Sequence, residues 1–137
     1  MNDYTARVYL AFHGDFNPFE FAKCVRLMPA ECVDMHSRNP ERQLPRTTLL
    51  HYADTHTSTR LIDLYQLADQ AIGILEPHLD EFVAAVARFK TDVVFQVILY
   101  FPASGEVSTP IAGFSARVVH FLSALGGSID IDSYLAD

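Results

Sequence analysis

Asp130 and Asp132, near the end of the chain, have the spacing most suggestive of chemistry. In a strand an i, i+2 pair shares one face about 7 Å apart, which suits one carboxyl to act as an acid and the other as a base. Aspartates on a terminal strand also have a plainer use: they keep its solvent face wet and discourage another strand from pairing with it. A second group, His51, Asp54 and His56, places metal-ligating side chains in one short stretch. It lacks a defined ligand spacing, so no metal is expected, and no cofactor of any other kind. His13 could line a pocket with the two aspartates, and Asp15 with it, although Asp15 beside Gly14 reads equally as a turn residue. The P-loop, Gly-x-Gly-x-x-Gly, Gly-x-Ser-x-Gly, Cys-x-x-Cys and His-Glu-x-x-His signatures are absent from the sequence, which removes the common nucleotide-binding and hydrolytic classes.

The elements that must carry these residues are mostly strands. Asp92 to Phe101, DVVFQVILYF, is the longest run that reads as strand on both faces and is the expected sheet centre. Val93, Phe95, Val97, Leu99 and Phe101 point one way, and Val94, Gln96, Ile98 and Tyr100 the other. Tyr4 to His13 alternates likewise, with Ala6, Val8, Leu10 and Phe12 opposed to Arg7, Tyr9, Ala11 and His13. A short edge strand is expected between Ala30 and His36, a loop from Ser37 to Pro45 and a strand from Arg46 to Tyr52. Ala53 to Thr57 reads as a loop, and Ser128 to Tyr134 as a last strand with Ile129 and Ile131 inward. One side of the resulting sheet gathers Arg7, Tyr9, His13, His51, Gln96, Tyr100, Asp130, Asp132 and Tyr134. Tyrosine with arginine is the composition of protein interfaces, so this face reads first as a homodimer or protein-partner surface and second as a shallow ligand site.

Helices complete the pattern. Asn17 is a good N-cap, with Pro18 at the first helical position, Glu20 three residues after the cap, and Phe16 and Phe21 able to form a hydrophobic staple. This helix is expected to run to Met28, before Pro29, burying Phe21, Ala22, Cys24, Val25 and Met28. From Arg60 to Phe89, after a cap at Ser58 or Thr59, ten residues share one stripe at about 100° per residue: Leu61, Leu64, Tyr65, Ala68, Ile72, Leu75, Leu79, Phe82, Val83 and Val86. Pro77 falls opposite that stripe and removes a helical hydrogen bond, so a break is expected near Glu76 and Pro77. Ser115 caps a last helix with Val118, Phe121, Leu122 and Leu125 inside and Gly126 at its end. The order βαββαβαβ predicts an α+β fold: a mainly antiparallel five-stranded sheet with helices on one face, ferredoxin-like in general architecture.

With 137 residues, half of them hydrophobic, the chain is sized for one domain, residues 1–137. Ten basic against 17 acidic residues, net −7, repel a phosphate backbone, so nucleic acid is not an expected partner. No apolar run reaches the roughly 18 residues that span a bilayer, and the start lacks a signal-peptide pattern. A cytoplasmic protein away from the membrane is expected, with Cys24 and Cys32 reduced.

The residues Gly14-Asp15-Phe16-Asn17-Pro18 after the first strand and the closing Ile129-Asp130-Ile131-Asp132-Ser133-Tyr134 carry a family likeness, as does the long helical segment ahead of DVVFQVILYF. From about Tyr4 to Tyr134 the chain resembles the bacterial domain-of-unknown-function family numbered 4279. The resemblance implies no activity. Relatives often carry tryptophans in the second and third strands, where this chain has Val33 and Leu49, so no role of those rings is carried over. The resulting expectation is a non-enzymatic interaction or homodimerisation module, whose acidity would suit an immunity-type protein opposing a basic toxin. The alternative is a small ligand-binding domain or enzyme with a polar site on the open sheet face.

Overall fold

The computed structural model describes residues 4–102 and 111–136. The elements are β1 (Tyr4–His13), α1 (Pro18–Lys23), β2 (Glu31–Val33), β3 (Leu49–Thr59), α2 (Leu64–Leu75), α3 (Leu79–Phe89), β4 (Asp92–Pro102), α4 (Ala116–Leu125) and β5 (Ser128–Ala136), with a 3-10 turn at Glu76–His78 between α2 and α3. The strands stand in the order β2-β3-β1-β4-β5. Neighbours are antiparallel except β4 and β5, which run parallel, so the sheet is mixed. The parallel pair follows from the connection: α4 lies between these two strands, and only a crossover of that kind returns the chain in the same direction.

β1 and β4 form as the alternation predicts, but the centre of the sheet is β1, with two strands on each side; β4, expected there, has only β5 beyond it. Ala6, Val8, Leu10 and Phe12 of β1 join Val93, Phe95, Val97 and Leu99 of β4 in one buried cluster with Leu50 and Tyr52 of β3 and the inner faces of the helices. Phe12 is its hub, with ring centroids 4.7 Å from Phe21, 5.4 Å from Phe82 and 5.9 Å from Tyr52. The Asn17 side chain accepts from the backbone N–H groups of Phe19 and Glu20, and the Phe16 and Phe21 rings meet at 5.6 Å. Ser115 caps α4, Gly126 ends it in the left-handed region, and Val118, Phe121, Leu122 and Leu125 are buried. These features are local, which is why they can be read from spacing alone.

Several expectations are corrected. α1 ends at Lys23, because the Cys24 N–H closes a tight turn onto the carbonyls of Phe21 and Ala22, and Met28 is 83% exposed rather than buried. β3 starts at Leu49 and continues to Thr59 through the stretch read as a loop: Thr55, His56 and Thr57 pair with Val8, Arg7 and Ala6. A bulge beside Ala53, whose φ is 55°, absorbs the change of register between Val8 and Leu10. Ser58 and Thr59 are therefore strand residues, and the cap of α2 is Asp63, which accepts from the N–H of Gln66.

The break at Glu76–His78 lies where Pro77 puts it, and the buried stripe keeps its phase across it: at about 100° per residue Leu64, Ala68, Ala71, Ile72 and Leu75 before the break and Phe82, Ala85 and Val86 after it share one sector. Leu61, Tyr65 and Val83 are exposed, while Leu67, Ala71 and Ala85 are buried in their place. The stripe is turned by about 40° from the predicted one, to the same side in both helices, with Tyr65 and Val83 at one margin and Leu67 and Ala85 at the other. On β5, Ile129 is half-buried but Ile131 is 48% exposed, since this edge strand runs out beyond the cover of α4. No helix among the described residues is long and apolar enough to cross a membrane.

Candidate functional site

The strand pairings bring all nine residues of the predicted polar face onto the side of the sheet opposite the core. Tyr9 stands between Gln96 on β4 and the bulge of β3; Arg7 stands between Ile98 and His56; Ala11 stands between Val94 and His51. On β5, Asp130, Asp132 and Tyr134 continue the rows of Gln96, Ile98 and Tyr100. His13 opposes Asp92 at one end of the face, and Tyr100 with Tyr134 occupies the other.

Two groups form within this face. The first crosses β2, β3 and β1. Arg7 donates from Nε and Nη2 to the two carboxylate oxygens of Asp54 at 2.8 and 2.6 Å, and its guanidinium lies 4.6 Å from the Tyr9 ring centre. Tyr9 stacks on His51 at 4.2 Å, and His51 Nδ1 is 3.4 Å from Glu31, which also accepts from Arg38 at 2.9 Å. The hydrogen bond to Arg7 holds the Asp54 carboxyl below the usual carboxylate range. Burial pushes the Tyr9 phenol up and holds the His51 imidazole down, more than the nearby Glu31 carboxylate raises it. His13 is lowered by burial as well, with Asp92 opposing the shift.

The second group lies on β4 and β5. Tyr100 and Tyr134 stack at 5.3 Å with 24° between their planes, yet remain 42% and 50% exposed. Gln96 Nε2 donates to Asp132 Oδ2 at 3.0 Å, which ties one carboxylate of the aspartate pair to the sheet. Asp130 and Asp132 therefore share a face as their spacing requires, but His13 and Asp15 do not join them. The register separates the His13 row from the Asp130 row by the four residues from Asp92 to Gln96, about 13 Å along the strand.

Asp54 and Glu31 are the residues of this face that sequence reasoning missed in these roles. Asp54 was concealed by the bulge, and its only signal is the alternation Thr55, Thr57 within a polar run. His51, Asp54 and His56 do not form a ligand set: Asp54 is engaged by Arg7 and His51 by Tyr9. No group of three or more His, Cys, Asp or Glu side chains among the described residues could hold a metal ion. Two cavities lined by described residues lie off the face, one of about 540 Å³ beside α4 and Ile129 and one of about 420 Å³ under Phe19, Val25 and Met28. The arrangement offers two stacked phenol rings, a guanidinium held by Asp54 and the carboxylates of Asp130 and Asp132.

No curated protein and no solved structure matches the chain. A family model described as Domain of unknown function (DUF4279) matches residues 2–136, a span that takes in every element from β1 to β5. The chain belongs to the DUF4279 family.

Proposed function

We propose that the protein is a non-enzymatic interaction module whose contact surface is the open sheet face around Tyr9, Tyr100 and Tyr134, taking a protein partner or a second copy. The observation that carries this reading is the stacked Tyr100–Tyr134 pair, two large rings left half in water at the rim of a polar sheet. Rigid aromatic side chains presented this way lose little conformational freedom on contact and dominate interface energetics. Arg7, held flat by Asp54 and Tyr9, adds a pre-ordered cation beside them. The net charge of −7 makes a basic protein the favoured foreign partner, in the manner of an immunity protein. The architecture is read as ferredoxin-like, supported by the βαββαβ order through β4 and the antiparallel arrangement β2-β3-β1-β4, to which α4 and β5 are appended.

The test compares the wild-type protein with Tyr100→Ala by cross-linking in the native cell and by sedimentation of the purified chain. The expected result is a cross-linked partner, or a dimer, that the substitution weakens. A wild-type chain that sediments only as monomer, with cross-linked species unchanged in Tyr100→Ala, would overturn the reading.

A further inference from the structure

β5 closes one side of the sheet and, among the described residues, pairs with β4 alone. At nine residues it is long for an edge strand, and SIDIDSYLA contains neither the proline nor the lysine that commonly blunts such an edge. Its two aspartates are the protective feature, and they also restrict how a second β5 can approach. Two copies meeting edge to edge across a two-fold axis run antiparallel, with residues opposed symmetrically about a centre.

Centres at Asp130, Ile131 or Asp132 each bring a carboxylate against a carboxylate: Asp130 on itself, Asp130 on Asp132, or Asp132 on itself. A centre at Ser133 avoids every such pair. It sets Ile131 against Leu135 of the second copy and Asp132 against Tyr134 of the second copy. Ile131 and Leu135 are 48% and 78% exposed, so this register covers the two apolar side chains that the strand leaves most open to water. A centre at Tyr134 also spares the carboxylates, but it shortens the overlap and sets Leu135 against Ser133.

We infer that β5 is a self-association edge, through which two copies of this chain pair antiparallel about Ser133 and join their sheets into one. The inference stands on the edge and its register, and it does not depend on what the open face binds. A seam of one strand per copy is small beside the roughly 1,200–2,000 Å² of standard interfaces, so the dimer forms and dissociates with concentration. Added salt strengthens it, because each copy is acidic and screening relieves their mutual repulsion.

Three measurements test it. Opposed residues of an antiparallel pair lie about 4.5–5.5 Å apart at Cα, within disulfide range, so Ser133→Cys is expected to yield a covalent dimer under mild oxidation. Ser128→Cys at the far end of the strand, and the wild-type chain with its own cysteines, are expected to lag well behind. Ile131→Lys and Leu135→Glu, both at exposed positions, are each expected to weaken dimerisation at least about tenfold. An equimolar mixture of the two variants restores it, because lysine then faces glutamate at one contact and leucine faces isoleucine at the other. Circular dichroism confirms that each variant is folded. Wild-type protein that stays monomeric into the high micromolar range excludes the edge. A dimer that Tyr100→Ala abolishes while both β5 variants leave it intact assigns association to the open face instead. Equal cross-linking at Ser128→Cys and Ser133→Cys, or no recovery in the mixture, excludes the register.

Discussion

The imidazole of His51 lies against the ring of Tyr9, centroids 4.2 Å apart and planes 26° apart, and this contact leaves His51 only 7% exposed on the polar side of the sheet. Its Nδ1 is buried without a hydrogen bond: Glu31 Oε2 is near, at 3.4 Å, but not aligned to share a proton. Close approach without alignment leaves burial as the stronger influence, and the ring is held in its neutral form.

This predicts how stability responds to pH. His51 and His13 both have folded values below the ordinary imidazole value of about 6.5, so the unfolded chain binds protons more readily. Their contribution is complete above about pH 6.5 and is lost as pH falls from there toward the lower folded values. The melting temperature should therefore hold above about pH 6.5 and drop as the pH is lowered from there. His51→Phe keeps a ring against Tyr9 and removes the unpaired nitrogen, so it should flatten that drop and match or exceed wild-type stability by up to about 1 kcal/mol at neutral pH. Calorimetry across the range checks both points, and an unchanged slope in His51→Phe would remove the imidazole as the cause.

The Arg7–Asp54 pair responds in a different window. Asp54 has a folded value below the ordinary carboxylate value of about 3.9, so its contribution is present above that pH and is lost as pH falls through the folded value. The side chains are 39% and 27% exposed, and solvent screening limits the interaction. Arg7→Lys, which loses the two-pronged contact, should cost no more than about 1 kcal/mol and cost less in high salt. A double-mutant cycle with Asp54→Asn, measured by urea unfolding, reads the coupling directly.

Thr48 should matter more, although it looks unremarkable in the sequence. It is fully buried, its hydroxyl donates to the Phe16 carbonyl at 2.9 Å, and its N–H donates to the Gly14 carbonyl at 3.2 Å. These bonds tie the entry of β3 to the turn between β1 and α1. Thr48→Val preserves the shape and leaves the Phe16 carbonyl without this donor, with an expected loss of about 1–3 kcal/mol. Thr48→Ser, retaining the hydroxyl, should recover part of the loss; a Val variant as stable as wild type would show the bond to be dispensable.

Pro77 occupies the exposed turn between α2 and α3, with Leu75 and Phe82 fully buried on either side. Pro77→Ala restores a backbone donor, but the two helices already bury one stripe with the turn between them, so straightening a segment that has to follow the sheet brings no new burial. The change in stability should stay within about 1 kcal/mol, far from the roughly 3 kcal/mol that a proline costs inside a helix. Thermal melts and helical circular dichroism decide it: a large gain in both would mean that the turn is imposed by proline alone.

The sequence by itself determined what depends on neighbours along the chain. Alternation in Tyr4–His13 and in DVVFQVILYF placed Arg7, Tyr9, Gln96 and Tyr100 on one face, because a strand leaves a side chain only two directions. Asn17, Ser115 and Gly126 marked helix ends through bonds that span a few residues. The family likeness, too, was legible in those local strings.

Tertiary structure alone decided the rest. β3 extends through polar residues because β1 supplies the bonding partners, and its bulge is a matter of register between strands 40 or more positions apart. In α2 and α3 the sheet decides which margin of the common stripe is covered, burying Leu67 and Ala85 and leaving Tyr65 and Val83 in water. The direction of β5 beside β4, the grip of Arg7 on Asp54 and the contact of His51 with Tyr9 all join positions remote in sequence. Hydrophobic pattern says which side of an element is buried; it carries no address for the element that will lie alongside it.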